Sequence, residues 1–185
     1  MKYIGPCLLL SLAACAGEEN IARYPVTPLP ATTTRAVATD TIEVRLVSLP
    51  LYADAEEIPR QASDGSVRTN AEILWADEPD RAISNALARN LEEITGAIAA
   101  VEPWPLEAFP EARIEVRVDE MLASANGTLR FAGAWFASRP GDPRADRAGR
   151  FAFDVPLADA AFPTLAAAHA EATRQLATTV AAGLR

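Results

Sequence analysis

From Ala112 to Phe136 the chain reads ARIEVRVDEMLASANGTLRFAGAWF, and this stretch constrains the fold more than any other. Ile114, Val116 and Val118 alternate with Arg113, Glu115 and Arg117, so one face of a strand is apolar and the other charged. Asn126-Gly127 supplies the positive φ angles of a tight turn, and Leu129, Phe131 and Trp135 return on one face. A long antiparallel hairpin is predicted, and the rest of the chain must cover its apolar side.

Other segments carry weaker versions of both signals. TIEVRLVSL, from Thr41, sets Ile42, Val44 and Leu46 against Glu43, Arg45 and Val47, and Pro50 ends it. Two short strands are expected around Asp64-Gly65, and Phe151, Phe153 and Val155 alternate in a late strand. Ile83, Leu87, Leu91 and Ile94 form one helical stripe, with Asp77 as the expected cap, Pro79 in the first turn and Gly96 as the stop. A second helix starts near Pro163, with Leu165, Ala172, Leu176, Val180 and Leu184 toward the core. The expected class is α/β, a mixed, mostly antiparallel sheet packed by two main helices. Only 6% of residues are aromatic, so alanines should fill much of the core.

The beginning of the chain, MKYIGPCLLLSLAACAGEEN, reads differently. Its apolar run, Ile4 to Ala14, covers 11 residues, whereas a spanning helix needs about 20. Lys2, the short apolar region and the small residues at its end fit a cleaved secretory signal over residues 1–14. Leu12-Ala13-Ala14-Cys15 resembles the lipobox of bacterial lipoproteins, which implies acylation of Cys15; Cys7 leaves with the signal. Two or three acyl chains would hold firmly, since each buried CH₂ contributes about 0.8 kcal/mol. Residues 15–40 are then the lipidated N-terminus and an extended Pro/Thr/Ala-rich tether, and residues 41–185 a single domain.

The formal charge of −8, with no basic face, argues against nucleic acid as a partner. With both cysteines spent, thiol chemistry and disulfides are not expected, and His169 is the single histidine, so multi-histidine metal sites are not expected either. His169 with Ser84 or Ser124 has the residue types of a hydrolase triad but lacks a Gly-x-Ser-x-Gly elbow, and is expected to flank its helix. Glu56-Glu57 and Glu92-Glu93 are expected to face water. No cofactor and no catalytic residue is assigned.

The order of motifs, namely the lipobox, the tether ARYPVTPLP, Ser48-Leu49-Pro50 with Tyr52 after it, ILWADEPDRAISNALARNL, the long hairpin and the alanine-rich last helix, resembles the PqiC family. Its members are also called ABC-type transport auxiliary lipoprotein components, or membrane integrity-associated transporter subunits. The most specific match is Trp75-Ala76-Asp77-Glu78-Pro79 followed by Leu87 and Leu91. The resemblance implies a fold like the N-terminal domain of TolB. It implies a non-enzymatic subunit of an MCE-type lipid transport system, assembled as a homo-oligomer and docked to an MCE-domain protein with inner-membrane transport partners. Ala16 after the cysteine, in place of Asp, points to the periplasmic face of the outer membrane. A stand-alone lipid- or small-molecule-binding lipoprotein is the alternative.

Trp75, Pro79, Tyr52, Trp135 and Phe136 are the candidates for packing or docking. Trp75 is expected to anchor the first helical turn. Trp135 and Phe136 are neighbours in a strand and point oppositely, so one of them faces away from the core. The loop holding Arg139, Arg144, Arg147 and Arg150 interleaves Asp142 and Asp146 and is expected to be solvated, with phospholipid headgroups as its rival partner.

Overall fold

The computed structural model describes residues 21–184, so the signal, Cys7 and Cys15 lie outside the described residues. Its elements are β1 (Ala22–Tyr24), β2 (Thr41–Val44), β3 (Arg60–Gln61), β4 (Val67–Arg68), β5 (Ile73–Trp75), α1 (Pro79–Thr95), β6 (Ile98–Val101), β7 (Ala112–Ala123), β8 (Thr128–Ser138), β9 (Arg147–Pro156) and α2 (Phe162–Gly183).

The hairpin read from alternation is the spine of the main sheet. β7 and β8 pair antiparallel from Arg113↔Ser138 to Ala123↔Leu129, with a register irregularity between Val118 and Glu120. Gly127 turns with φ 81°. Gly133 lies so close to the Arg117 carbonyl and the Phe151 ring that a Cβ has no room. β9 continues the sheet antiparallel to β8.

On the other side of β7, β2 runs parallel to its beginning and β3 parallel to its end, with β6 parallel beyond β2 and β4 antiparallel beyond β3. Parallel strands need a crossover, and α1 lies within the one between β2 and β6. The two longest ladders are antiparallel, so the sheet is mixed and mostly antiparallel, with α1 and α2 side by side against it. The short apolar piece Ala97–Val101 contributes strand β6, which its four residues could not announce as a strand.

α1 buries Ile83, Leu87, Leu91 and Ile94. Gly96 closes it at φ 73°, its N–H donating to the Glu92 carbonyl. The N-cap position is Glu78 rather than Asp77. Asp77 stands one residue earlier, accepting from the Glu78 N–H and from the Arg81 guanidinium, so it clamps the first turn from outside. α2 buries Leu165, Leu176 and Val180 together with Ala166, Ala168, Ala172, Ala177 and Ala181. Small side chains there let the two helices approach closely.

Three further expectations change. In TIEVRLVSL the alternation slips after Val44: Val47 is buried and Leu46 is 43% exposed. The cause is a change of partners. The Leu46 N–H donates to Glu102 Oε1 at 2.9 Å and the Val47 N–H to Ser84 Oγ at 2.9 Å, so side-chain acceptors replace the ladder. His169 does not flank its helix but lies in the core, 5% exposed, where α2 faces Trp75.

The third concerns the segment from Ile21 to Asp40, expected as an extended tether that touches the domain only through Tyr24 and Leu29. It is extended but lies on the domain as a strap. β1 pairs parallel with β5. The Leu29 carbonyl accepts from Asn90 Nδ2 at 2.7 Å, the Ala31 N–H donates to Glu93 Oε2 at 2.9 Å and the Arg35 N–H to the Ile94 carbonyl at 2.6 Å. Thr32 Oγ1 accepts from Arg174 at 2.6 Å and the Ala38 carbonyl from Arg139 at 2.9 Å. Pro25, Pro28 and Pro30 lack N–H donors and so cannot sustain a ladder. The helices and the loop after β8 supply other partners, and Val26, Ala31 and Val37 pack on the core.

Candidate docking face

Strand alternation sends the charged residues of β2, β7 and the far end of β8 to the face opposite the apolar core. Arg45, Arg113, Glu115, Arg117, Phe136 and Arg147 line a surface groove of about 500 Å³ there. Its floor is an ionic lattice. Arg113 Nε stands 2.6 Å from Glu43 Oε2, an ionic contact without a well-aimed hydrogen bond from that N–H. Arg117 lies 2.6 Å from Glu115, and Arg45 lies 3.4 Å from Glu102 beyond the edge of the groove.

Phe136 sits among these guanidinium groups, 40% exposed, with the Arg117 guanidinium 5.2 Å from its ring centroid. Such a contact holds an arginine flat on an aromatic ring. The groove thus offers one apolar ring surrounded by neutralised charge, which suits the polar rim and aromatic centre of a protein interface. Outside the groove, the Pro-rich connection between β6 and β7 exposes Phe109, at 84%, and Leu106 to about half.

The other residues singled out by sequence lie elsewhere and pack. Trp75 is 2% exposed, its ring 4.9 Å from that of His169 in an edge-on arrangement. Pro79 is buried at the start of α1. The Tyr52 hydroxyl accepts from the Met121 N–H at 3.2 Å, so the ring ties the turn after β2 to the last part of β7. Trp135 is 5% exposed and packs on Gly149 of β9 and Gly183 of α2, where added Cβ atoms would collide with its indole. Of the pair Trp135 and Phe136, Phe136 is the one that faces out.

The groups considered for catalysis are committed to structure. Ser84 Oγ accepts from the Val47 N–H and donates to the Asp80 carbonyl at 2.6 Å. Ser124 Oγ donates to the Thr128 carbonyl at 2.8 Å. His169 Nδ1 lies 2.8 Å from the Leu165 carbonyl, and burial pushes its pKa down from 6.5 to about 4, against a smaller upward pull from that carbonyl, so the ring is neutral. Glu93 holds the strap, and the Ala31 N–H and the Arg89 guanidinium keep its carboxyl below the usual range. Among the described residues no group of His, Cys, Asp and Glu could hold a metal ion, and no helix is long and apolar enough to cross a membrane.

Sequence alone marked Phe136 as one of two alternatives and Arg113, Glu115 and Arg117 as exposed. It did not reveal the pairing of Arg45 with Glu102 or the exposure of Phe109. Those depend on how the β6–β7 connection is laid.

A family model described as the ABC-type transport auxiliary lipoprotein component matches residues 24–181. No curated protein matches the chain significantly. Among solved structures, one reported as the crystal structure of an uncharacterized protein shares 18% identity, covering 86% of this chain and 100% of its own, at a TM-score of 0.68. Protein XCC0632 from Xanthomonas campestris shares 16% identity, covering 86% and 90% respectively, at a TM-score of 0.62. Both carry the fold described above. A PelC dodecamer from Paraburkholderia phytofirmans is more distant, at 13% identity over 83% of this chain and 92% of its own, with a TM-score of 0.45.

Proposed function

We propose a lipid-anchored docking role, proceeding from the fact that the chain belongs to the family of ABC-type transport auxiliary lipoprotein components. Acylation of Cys15 fixes the protein to the periplasmic face of the outer membrane. The domain is a non-catalytic subunit of an MCE-type lipid transport system, joining copies of itself and an MCE-domain partner through its exposed sheet face. The observation that carries this reading is Phe136, an aromatic side chain left 40% exposed in a groove whose other lining is largely arginine and carboxylate. Large aromatics at the centre of a polar rim are the usual energetic anchors of protein interfaces.

The test is a mild-detergent pull-down of the acylated full-length protein from native membranes, run beside Phe136→Glu and Cys15→Ala. The native protein is expected to retain an MCE-domain protein with its transport partners. Phe136→Glu should keep its melting temperature and lose those partners, and Cys15→Ala should appear in the soluble periplasm. Recovery of stoichiometric lipid without protein partners would replace the subunit reading by that of a stand-alone lipid-binding protein.

A further inference from the structure

The two ends of the domain differ. At one end lie the turn between β3 and β4, the turn between β7 and β8, and the loop between β9 and α2. These are tied together: the Leu157 N–H donates to the Gly127 carbonyl at 2.8 Å, Arg60 donates to the Ala160 carbonyl at 2.6 Å, and Arg60 pairs in register with Ala123. The Arg60 guanidinium also lies 4.2 Å from the centre of the Phe162 ring, at the first turn of α2. The strap enters here, since the Ala22 N–H donates to the Glu72 carbonyl at 2.8 Å and the Tyr24 ring lies 5.6 Å from that of Phe162. At the other end lie Leu184, Ala38 and the loop of Arg139, Ala145 and Arg147, which share one small cavity. α2 joins the two ends, and its 22 residues span about 33 Å at 1.5 Å per residue.

Because the strap binds the domain from Ala22 onward, little chain remains between it and Cys15. Five residues separate Cys15 from Ile21, and even full extension allows only about 20 Å across that interval. We infer that the end built from the β3–β4 turn, the β7–β8 turn and the β9–α2 loop is the face the domain turns to the lipid surface, with the Arg139–Arg147 loop at the opposite end, away from the anchoring bilayer. The inference rests on the acylation of Cys15 proposed above.

The partner of this end is a phospholipid headgroup layer, and proximity comes from the short leash rather than from attraction. Arg68 is ion-paired with Asp64 at 2.7 Å, and Asp159 stands near Arg60, so no net positive charge faces outward. Ser66, Asn70 and Asn126 make the tips polar, which fits a surface lying on headgroups without insertion. The basic loop, the rival candidate for phospholipid contact, is left free to meet something other than the membrane that holds the anchor.

The experiment uses the acylated full-length protein in vesicles of phosphatidylethanolamine and phosphatidylglycerol. A single donor dye is attached at Ala125→Cys or at Arg144→Cys, both exposed turn positions, with a short-range acceptor on a lipid headgroup. Energy transfer is expected to be several-fold higher from position 125 than from position 144 and unchanged by added salt. Equal or reversed transfer from protein that is demonstrably acylated and vesicle-bound would overturn the orientation alone. Binding of Cys15→Ala to the same vesicles would overturn the acyl anchor on which it rests.

Discussion

His169 shows what burial does to one side chain. Its ring is enclosed by α2 and Trp75, its Nδ1 faces the Leu165 carbonyl, and its pKa falls from 6.5 to about 4. Between those two pH values the unfolded chain binds a proton that the folded chain refuses. The stabilisation is therefore complete above pH 6.5 and is lost as the pH falls toward 4, amounting to roughly 3 kcal/mol over the whole window. Chemical denaturation at pH 5 and pH 7 should show this loss, and His169→Leu should flatten it; equal pH dependence of the two proteins would contradict a neutral buried imidazole. That His169 is a core residue was not legible in the sequence, because its neighbours on α2 are alanines and a stripe of small residues does not say which flank is covered. Trp135 and Phe136 were legible as a pair of opposites, with Trp135 on the face of Leu129 and Phe131; that Gly149 and Gly183, distant in sequence, leave the room its indole fills was not.

At the scale of elements, alternation and stripes located the long hairpin, the late strand and both helices, because each signal is contained within the element. What the sequence hid depends on partners elsewhere in the chain. β2 slips its register after Val44 because Glu102 and Ser84 offer acceptors, and β6 is a strand because β2 lies beside it. The strap was legible as extended, from its prolines, and as touching the domain at Tyr24 and Leu29, but not as attached along its length, since it is held largely by side chains of α1 and α2. Asn90 makes this testable: it is fully buried, and its Nδ2 reaches the Leu29 carbonyl. Asn90→Ala should cost about 1–2 kcal/mol and speed amide exchange in the strap by roughly tenfold. Exchange there at the native rate would mean that the strap is held some other way.

For the whole molecule, fold class and family were legible because the order of motifs covers nearly all of the chain, and the match over residues 24–181 agrees. The docking groove was not, since it is assembled from β2, β7, β8 and the segment after Ser138 at a pairing no local pattern reveals. The strap has a further, mechanical consequence. It enters at the end that holds the β3–β4 and β7–β8 turns and runs along the helices to the far end before returning as β2, so a pull on the N-terminus acts along its length. Its hydrogen bonds are then loaded together in shear, and are not peeled one after another. Single-molecule pulling should find a higher rupture force between handles at Ile21 and Leu184 than between handles at Ile21 and Ala125, which draw the strap sideways; equal forces would show that the strap bears no load. Under the acyl anchor proposed at Cys15, tension arriving from the bilayer would thus be spread over both helices, and the domain would travel with its anchor as one rigid body.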